Sequence, residues 1–173
     1  RRTVEMDLPG YAIGGLSVGE PEPEMMAMLE AAVARLPEDR PRYAMGIGLP
    51  LNLIDMVARG VDLFDCVVPT RNARNGRAYT FGGLVTIKHA AHAESDQPLE
   101  EGCPCTACRH YSRAYLRHLF QCNEILSSRL LTGHNLTFFW RLMERVREAI
   151  PAGRLGDLRR QIAEVYAPGG AAE

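Results

Sequence analysis

Asp62-Leu63-Phe64-Asp65-Cys66-Val67-Val68-Pro69-Thr70-Arg71-Asn72-Ala73-Arg74-Asn75-Gly76 reads as a short apolar strand with one carboxylate near its end, followed by a turn with two arginines. Leu63, Phe64, Val67 and Val68 favour the strand, and Pro69 is expected to stop it. An acid placed where such a strand runs out into a loop is a common position for catalysis in α/β enzymes. On spacing alone, Asp65 serves equally well as the cap of the following turn.

The segments upstream repeat the pattern. Tyr11-Ala12-Ile13-Gly14-Gly15-Leu16-Ser17-Val18-Gly19-Glu20 begins as a strand and ends in a glycine-rich loop. Its spacing is not the dinucleotide fingerprint G-x-G-x-x-G. Pro21–Leu36 has helical period, with Met25, Met28, Leu29, Ala32, Val33 and Leu36 on one face and glutamates in the first turn, where they complement the helix dipole. Arg42–Gly48 is a second strand entering a second glycine loop, and Leu51–Arg59 a short helix ended by Gly60. Strand, helix, strand, helix, strand predicts parallel βα units, whose right-handed connections open every strand end on the same side. Gly15, Met45 and Asp65 would then face one pocket, and the three strands would form part of a β/α barrel.

Downstream, Arg77–His89 alternates around Gly82-Gly83 as a β-hairpin does, and 90–102 is polar loop. From Ala107 to Ile150 helix formers dominate, with breaks expected near Asn123 and Gly133. Leu155–Tyr166 forms a last amphipathic helix, with Pro168–Glu173 as a frayed tail. The chain divides on this reading into the βα units at 1–76, a hairpin and cysteine-rich segment at 77–134, and C-terminal helices at 135–173.

At 173 residues, with 46% hydrophobic and 24% charged side chains, the chain is long enough for a domain with its own core. A net charge of −1 gives no global basic field, so contact with nucleic acid must come from local patches. No apolar run approaches the roughly 18 residues of a membrane span, and no signal peptide is visible. Of five cysteines, three fall within six residues, which suits a metal in a reducing cytoplasm better than a disulfide framework. The first residue is Arg1, and this start reads as the interior of a longer protein.

Cys103-Pro-Cys105-Thr-Ala-Cys108 gives C-x-C-x-x-C. Thiolates this close repel one another; a divalent cation relieves the repulsion, and zinc is the natural choice for soft sulfur ligands in a closed tetrahedral site. The fourth ligand is open among His110, His118, His134 and Cys122. His110 is too near Cys108 for easy chelation, His118 shares a helix face with Tyr111 and Tyr115, and His134 follows Gly133 at an expected helix start, free to reach back. A trio of ordinary thiols or a redox pair is the plainer alternative. Cys66 and Cys122 are read as buried small hydrophobes.

Taken together, Gly14–Glu20, Leu36–Gly48, Phe64–Arg71, the cysteine cluster, Tyr111–Leu116 and His134-Asn135-Leu136 resemble tRNA-guanine transglycosylase over roughly residues 10–150. The resemblance implies the C-terminal part of a (β/α)8 barrel carrying an inserted zinc-binding subdomain and C-terminal helices. It implies a pentosyltransferase in which Asp65 attacks C1′ of the wobble guanosine in GUN-anticodon tRNAs, expels guanine and forms a covalent aspartyl-ribosyl intermediate. A 7-deazaguanine base then attacks the same carbon, a step in queuosine biosynthesis. The Gly15 N–H and Leu16 carbonyl would bind that base, Met45 would pack on its face, and Glu20 would lie near its substituent. Val18, where eukaryotic members carry Gly, favours the 7-aminomethyl-7-deazaguanine of bacterial enzymes. Arg71 and Arg74 would contact the RNA. Cys103, Cys105, Cys108 and His134 would hold one structural zinc, and Tyr111, Tyr115 and His118 would lie at a homodimer interface.

Two departures stand out. Many bacterial members carry Lys where this chain has Leu49. The family's general acid/base aspartate, and the Asp and Gln that read the base edge, lie in earlier strands and are absent here. The expectation is therefore an enzyme at full length and an inactive piece as given. The rival readings are a non-catalytic zinc-containing tRNA-binding subunit, the archaeal-type enzyme acting outside the anticodon, and a stand-alone zinc-stapled RNA-binding module. The presence of Asp65 together with the Gly14–Glu20 loop argues against the first.

Overall fold

The computed structural model describes residues 2–166; the expected frayed tail at 168–173 lies outside them. The chain divides into two compact units, Arg1–Val67 and Val68–Glu173.

The first unit is built on three short parallel strands in the order β1 (Tyr11–Ile13), β2 (Arg42–Ala44), β3 (Leu63–Phe64). Between them run α1 (Glu22–Val33) and α2 (Pro50–Val57). The register places Ile13 beside Ala44 and Ala44 beside Phe64, so the three strands end level. This is the parallel βα arrangement the alternating segments predict. Both helices start with proline in the first turn, where the missing N–H costs nothing. The α1 face that packs inward is Met25, Met26 and Leu29, whereas Met28 points to solvent at 58% exposure. The face read from the period holds at Met25 and Leu29, but Met26 and not Met28 is the other buried methionine of the helix.

At the opposite, N-terminal edge of the sheet, the buried Arg42 holds the unit together. Its guanidinium donates to the carbonyls of Leu36 (2.8 Å), Pro37 (3.0 Å) and Gly60 (3.4 Å), while its amide donates to Asp62 Oδ2 (2.8 Å). Arg42→Met leaves those carbonyls without their donor and is expected to cost the unit about 2–4 kcal/mol, read as a fall in the denaturant midpoint.

The second unit begins at Val68. Val68–Arg74 is a helix, α3, so Val67 and Val68 do not continue the strand and Pro69 sits inside the first helical turn instead of stopping a strand. The reason lies in the pairing: β2 ends at Ala44, leaving no partner backbone beyond Phe64. The hairpin β4 (Arg77–Thr80) and β5 (Gly83–Thr86) follows, antiparallel as expected, then α4 (Thr106–His110) and α5 (Arg113–Gln121).

The long helix α6 (Ile125–Ala149) runs unbroken for 25 residues, and α7 (Leu155–Tyr166) closes the described chain. Asn123 breaks the helical run as expected, with φ of 55°. Gly133 does not. A mid-helix glycine costs only about 1 kcal/mol, and the same turns bury Leu130, Leu131, His134, Asn135 and Phe138. The core of this unit gathers Ala73, Ala78, Ile87, Leu99, Leu116 and Leu131 around Cys103 and Cys105. Among the described residues no helix is long and apolar enough to cross a membrane.

Candidate functional site

Each unit carries one site. In the first, the level strand ends put Gly14, Met45 and Asp65 next in line after Ile13, Ala44 and Phe64. Two of these ends turn in the same way. Gly15 follows Ile13 by two residues with φ of 77°, and Gly46 follows Ala44 by two with φ of 75°. A Cβ at either position meets nothing within 4 Å, so the left-handed backbone is what calls for glycine. The turn at Gly46 aims its N–H at Asp65 Oδ1, 3.0 Å away.

The hydroxyl of Tyr43 donates to the same oxygen at 2.6 Å. Asp65 itself is exposed. The Tyr43 hydrogen bond first, and the Gly46 amide second, hold its carboxyl below the usual carboxylate range. The same bond pushes the Tyr43 phenol up. Asp65 is thus an ionised, oriented carboxylate at a strand end and not merely a helix cap. Tyr43 has no place in the sequence reading, because only the register between β2 and β3 reveals it. In the sheet it pairs with Leu63, and residues two apart on a strand share a face, which puts Tyr43 and Asp65 on one side.

The other residues of this unit fall as follows. Leu16 is buried, Val18 is 80% exposed, and Met45 is 46% exposed with its sulfur 3.4 Å from where a Gly14 side chain would begin. Glu20 folds back on its own loop. One carboxylate oxygen accepts from the Ser17 amide and the other from the Val18 amide at 2.8 Å. Its own amide and those two neighbours hold its carboxyl below the ordinary value. Glu20 therefore shapes the loop that follows Gly15, with Ser17 held at φ of 58°. Leu49 is exposed.

In the second unit, Cys103, Cys105, Cys108 and His134 converge, with all four ligand atoms within 4.8 Å of one another. His134 Nδ1 lies 3.7, 3.4 and 3.3 Å from the sulfurs of Cys103, Cys105 and Cys108. A tetrahedral cation with bonds of about 2.3 Å to sulfur and about 2.0 Å to nitrogen sets S···N separations near about 3.5 Å, so the residues fit such an ion. His134 reaches the cysteines from the middle of α6 and not from a helix start. Its other nitrogen, Nε2, lies 2.8 Å from the Tyr79 carbonyl, the donor contact that fixes a ligating imidazole.

The next residue, Asn135, is fully buried. It accepts from the Tyr79 amide at 2.9 Å and donates to the Pro69 and Arg77 carbonyls at 2.9 and 3.0 Å. The thiols divide their charge unevenly. Cys105 is pulled down to about 3, chiefly by a hydrogen bond with Cys108 and further by His134. Burial pushes Cys103 up, and the Cys105 sulfur pushes Cys108 up.

Arg71 and Arg74 are exposed in the last turn of α3, three apart and so on the same face. The rings of Tyr111 and Tyr115 stack at 5.4 Å. Cys66 is half-buried and Cys122 is exposed, which corrects the reading of both as buried hydrophobes. Cys122 lies just past the end of α5, with its sulfur 3.9 Å from both ring nitrogens of His118.

The family model described as queuine tRNA-ribosyltransferase matches residues 1–168. The chain belongs to the queuine tRNA-ribosyltransferase family. Proteins of that name are similar to it throughout. The one from Thermoanaerobacter pseudethanolicus is 54% identical over 166 residues, covering 96% of this chain and 44% of that protein. Relatives from Solidesulfovibrio magneticus and Bacillus subtilis are 54% and 52% identical, covering 44% and 43% of their lengths. The chain thus spans less than half the length of these queuine tRNA-ribosyltransferases, and both of its sites lie inside the matched region.

Proposed function

We propose that the full-length protein carrying this chain is a tRNA-guanine transglycosylase. It exchanges the wobble guanine of GUN-anticodon tRNAs for 7-aminomethyl-7-deazaguanine through a covalent aspartyl-ribosyl intermediate, in queuosine biosynthesis in the cytoplasm. The observation that carries the reading is Asp65: an ionised carboxylate at a parallel strand end, level with Gly14 and Met45. Such a group can attack a ribosyl carbon of oxocarbenium character and leave it again, the logic of a retaining glycosidase with a base in place of water. The wobble nucleotide must be turned out of the anticodon stack to reach it.

On this reading the three strands are the last of a (β/α)8 barrel at 1–76, followed by the zinc-binding segment at 77–134 and C-terminal helices at 135–173. The Gly15 N–H and Leu16 carbonyl bind the incoming base, Met45 packs on it, and the exposed Val18 limits the size of its substituent. Glu20 acts through the shape of the loop it clamps. Arg71 and Arg74 meet the RNA, and Tyr111, Tyr115 and His118 meet a second copy of the protein. The Cys103, Cys105, Cys108 and His134 set holds one zinc ion, which ties the cysteine loop to α6 and takes no part in the transfer. The general acid/base belongs to earlier strands, so the 173-residue chain alone is inactive.

The test is base exchange by the full-length protein on tRNA bearing labelled guanine at the wobble position. Release of label is expected with guanine and with 7-aminomethyl-7-deazaguanine, and little with the bulkier queuine. Retention of label with every base, or exchange at a site outside the anticodon, overturns the reading.

A further inference from the structure

We propose that Tyr43 is the positioning residue of Asp65, tying down Oδ1 together with the Gly46 amide so that Oδ2 forms the bond to the ribose carbon. The inference rests on Asp65 being the nucleophile.

The geometry is specific. Two donors from different parts of the β2 end converge on one oxygen, the Tyr43 hydroxyl at 2.6 Å and the Gly46 N–H at 3.0 Å. Neither of them engages Oδ2. A carboxylate turns freely about its last bond, and two fixed donors on one oxygen remove that freedom and leave the second oxygen aimed. The strand register favours the arrangement: Tyr43 pairs with Leu63, and Asp65, one residue past the end of β3 and two after Leu63, continues on that face.

The chemistry also calls for such a donor. In the first displacement an Oδ2 lone pair forms the C1′–O bond while the C1′–N9 bond breaks. Guanine leaves with that electron pair and takes a proton from the general acid of the earlier strands. In the second, the incoming base gives its proton to that same residue, forms the new C1′–N bond, and the C1′–Oδ2 pair returns to Asp65. The carboxylate must be ionised for the first step and stable as a leaving group for the second. The Tyr43 phenol keeps the carboxylate ionised and oriented for the first step and, because it stabilises the anion more than the ester, favours its return as the leaving group in the second. The same hydrogen bond holds the Asp65 carboxyl below the usual carboxylate range.

The experiment is Tyr43→Phe in the full-length protein, with Asp65→Asn beside it. Tyr43→Phe is expected to lower kcat about 10- to 100-fold with KM for tRNA changed less than about twofold. It is also expected to move the acidic limb of the kcat/KM profile to higher pH. The sign follows from the bond: removing a donor that favours the carboxylate raises its pKa, so more alkaline solution is needed to ionise it. A tyrosine that only ties β2 to β3 would lower the melting temperature and leave the acidic limb in place. An unmoved limb, or kcat within twofold of the parent, overturns the inference. If Asp65→Asn loses the covalent RNA adduct while Tyr43→Phe behaves as the parent, the positioning role alone fails. If Asp65→Asn keeps the adduct, the nucleophile assignment fails with it.

Discussion

Asp65→Asn in the full-length protein is expected to abolish base exchange, by at least about 10⁴-fold, and with it the proposed covalent RNA adduct that would survive denaturation. The amide has the shape of the carboxylate and still offers an oxygen to Tyr43 and Gly46, so β3 and its neighbours keep their places. What is lost is charge: a neutral amide oxygen does not displace a purine from ribose. The metal content stays the same, because the cysteine cluster belongs to the other unit. Exchange in the parent protein should fall only below the ordinary carboxylate range, since the Tyr43 and Gly46 donors hold Asp65 ionised there. An adduct that persists in Asp65→Asn sinks the assignment.

The second large effect is that of metal removal. A strong chelator, or Cys105→Ser with His134→Ala, is expected to unfold the Val68–Glu173 unit, because structural zinc typically supplies on the order of 10 kcal/mol to a small site and is absent from the unfolded chain. Cys103 and Cys105 sit among the core residues Leu99, Ala107, Leu116 and Leu131, so these ligands are also packing groups. Without a cation, three sulfurs, two of them buried, crowd one imidazole nitrogen at 3.3–3.7 Å. The measurement is a melting curve with thiol counting: the treated chain should lose its cooperative transition and expose three further alkylatable cysteines. A transition that survives with zinc gone overturns the structural role.

Much of this was open to reading before the fold was known, and the exceptions have physical reasons. Local spacing shows the parallel βα order, since glycines 15 and 46 mark where strands must turn, and it shows the C-x-C-x-x-C trio. The fourth ligand was not decided by spacing, because His134 acts from the middle of a helix whose direction only tertiary packing sets. The Val67-Val68 pair has strand propensity, but propensity without a partner strand does not make a ladder, and the segment becomes α3. Gly133 looks like a break only when the buried face around it is left out of account. Tyr43 escaped because its role depends on register between two strands some twenty residues apart, which no single segment displays.

The contacts around Tyr79 and Thr80 carry a further consequence. The Tyr79 amide and carbonyl are taken by Asn135 and His134, the Thr80 amide and carbonyl by the Tyr166 hydroxyl, and the Phe81 amide by Glu100. β4 belongs to a two-stranded sheet, and Asn135 and His134 occupy the Tyr79 groups on its edge away from β5, which would otherwise be open, whereas the Thr80 groups, one residue on, point the other way. One of them, His134, is also positioned for a metal ion. If His134 let go of the Tyr79 carbonyl, that stretch of backbone would be open to strand addition from another chain.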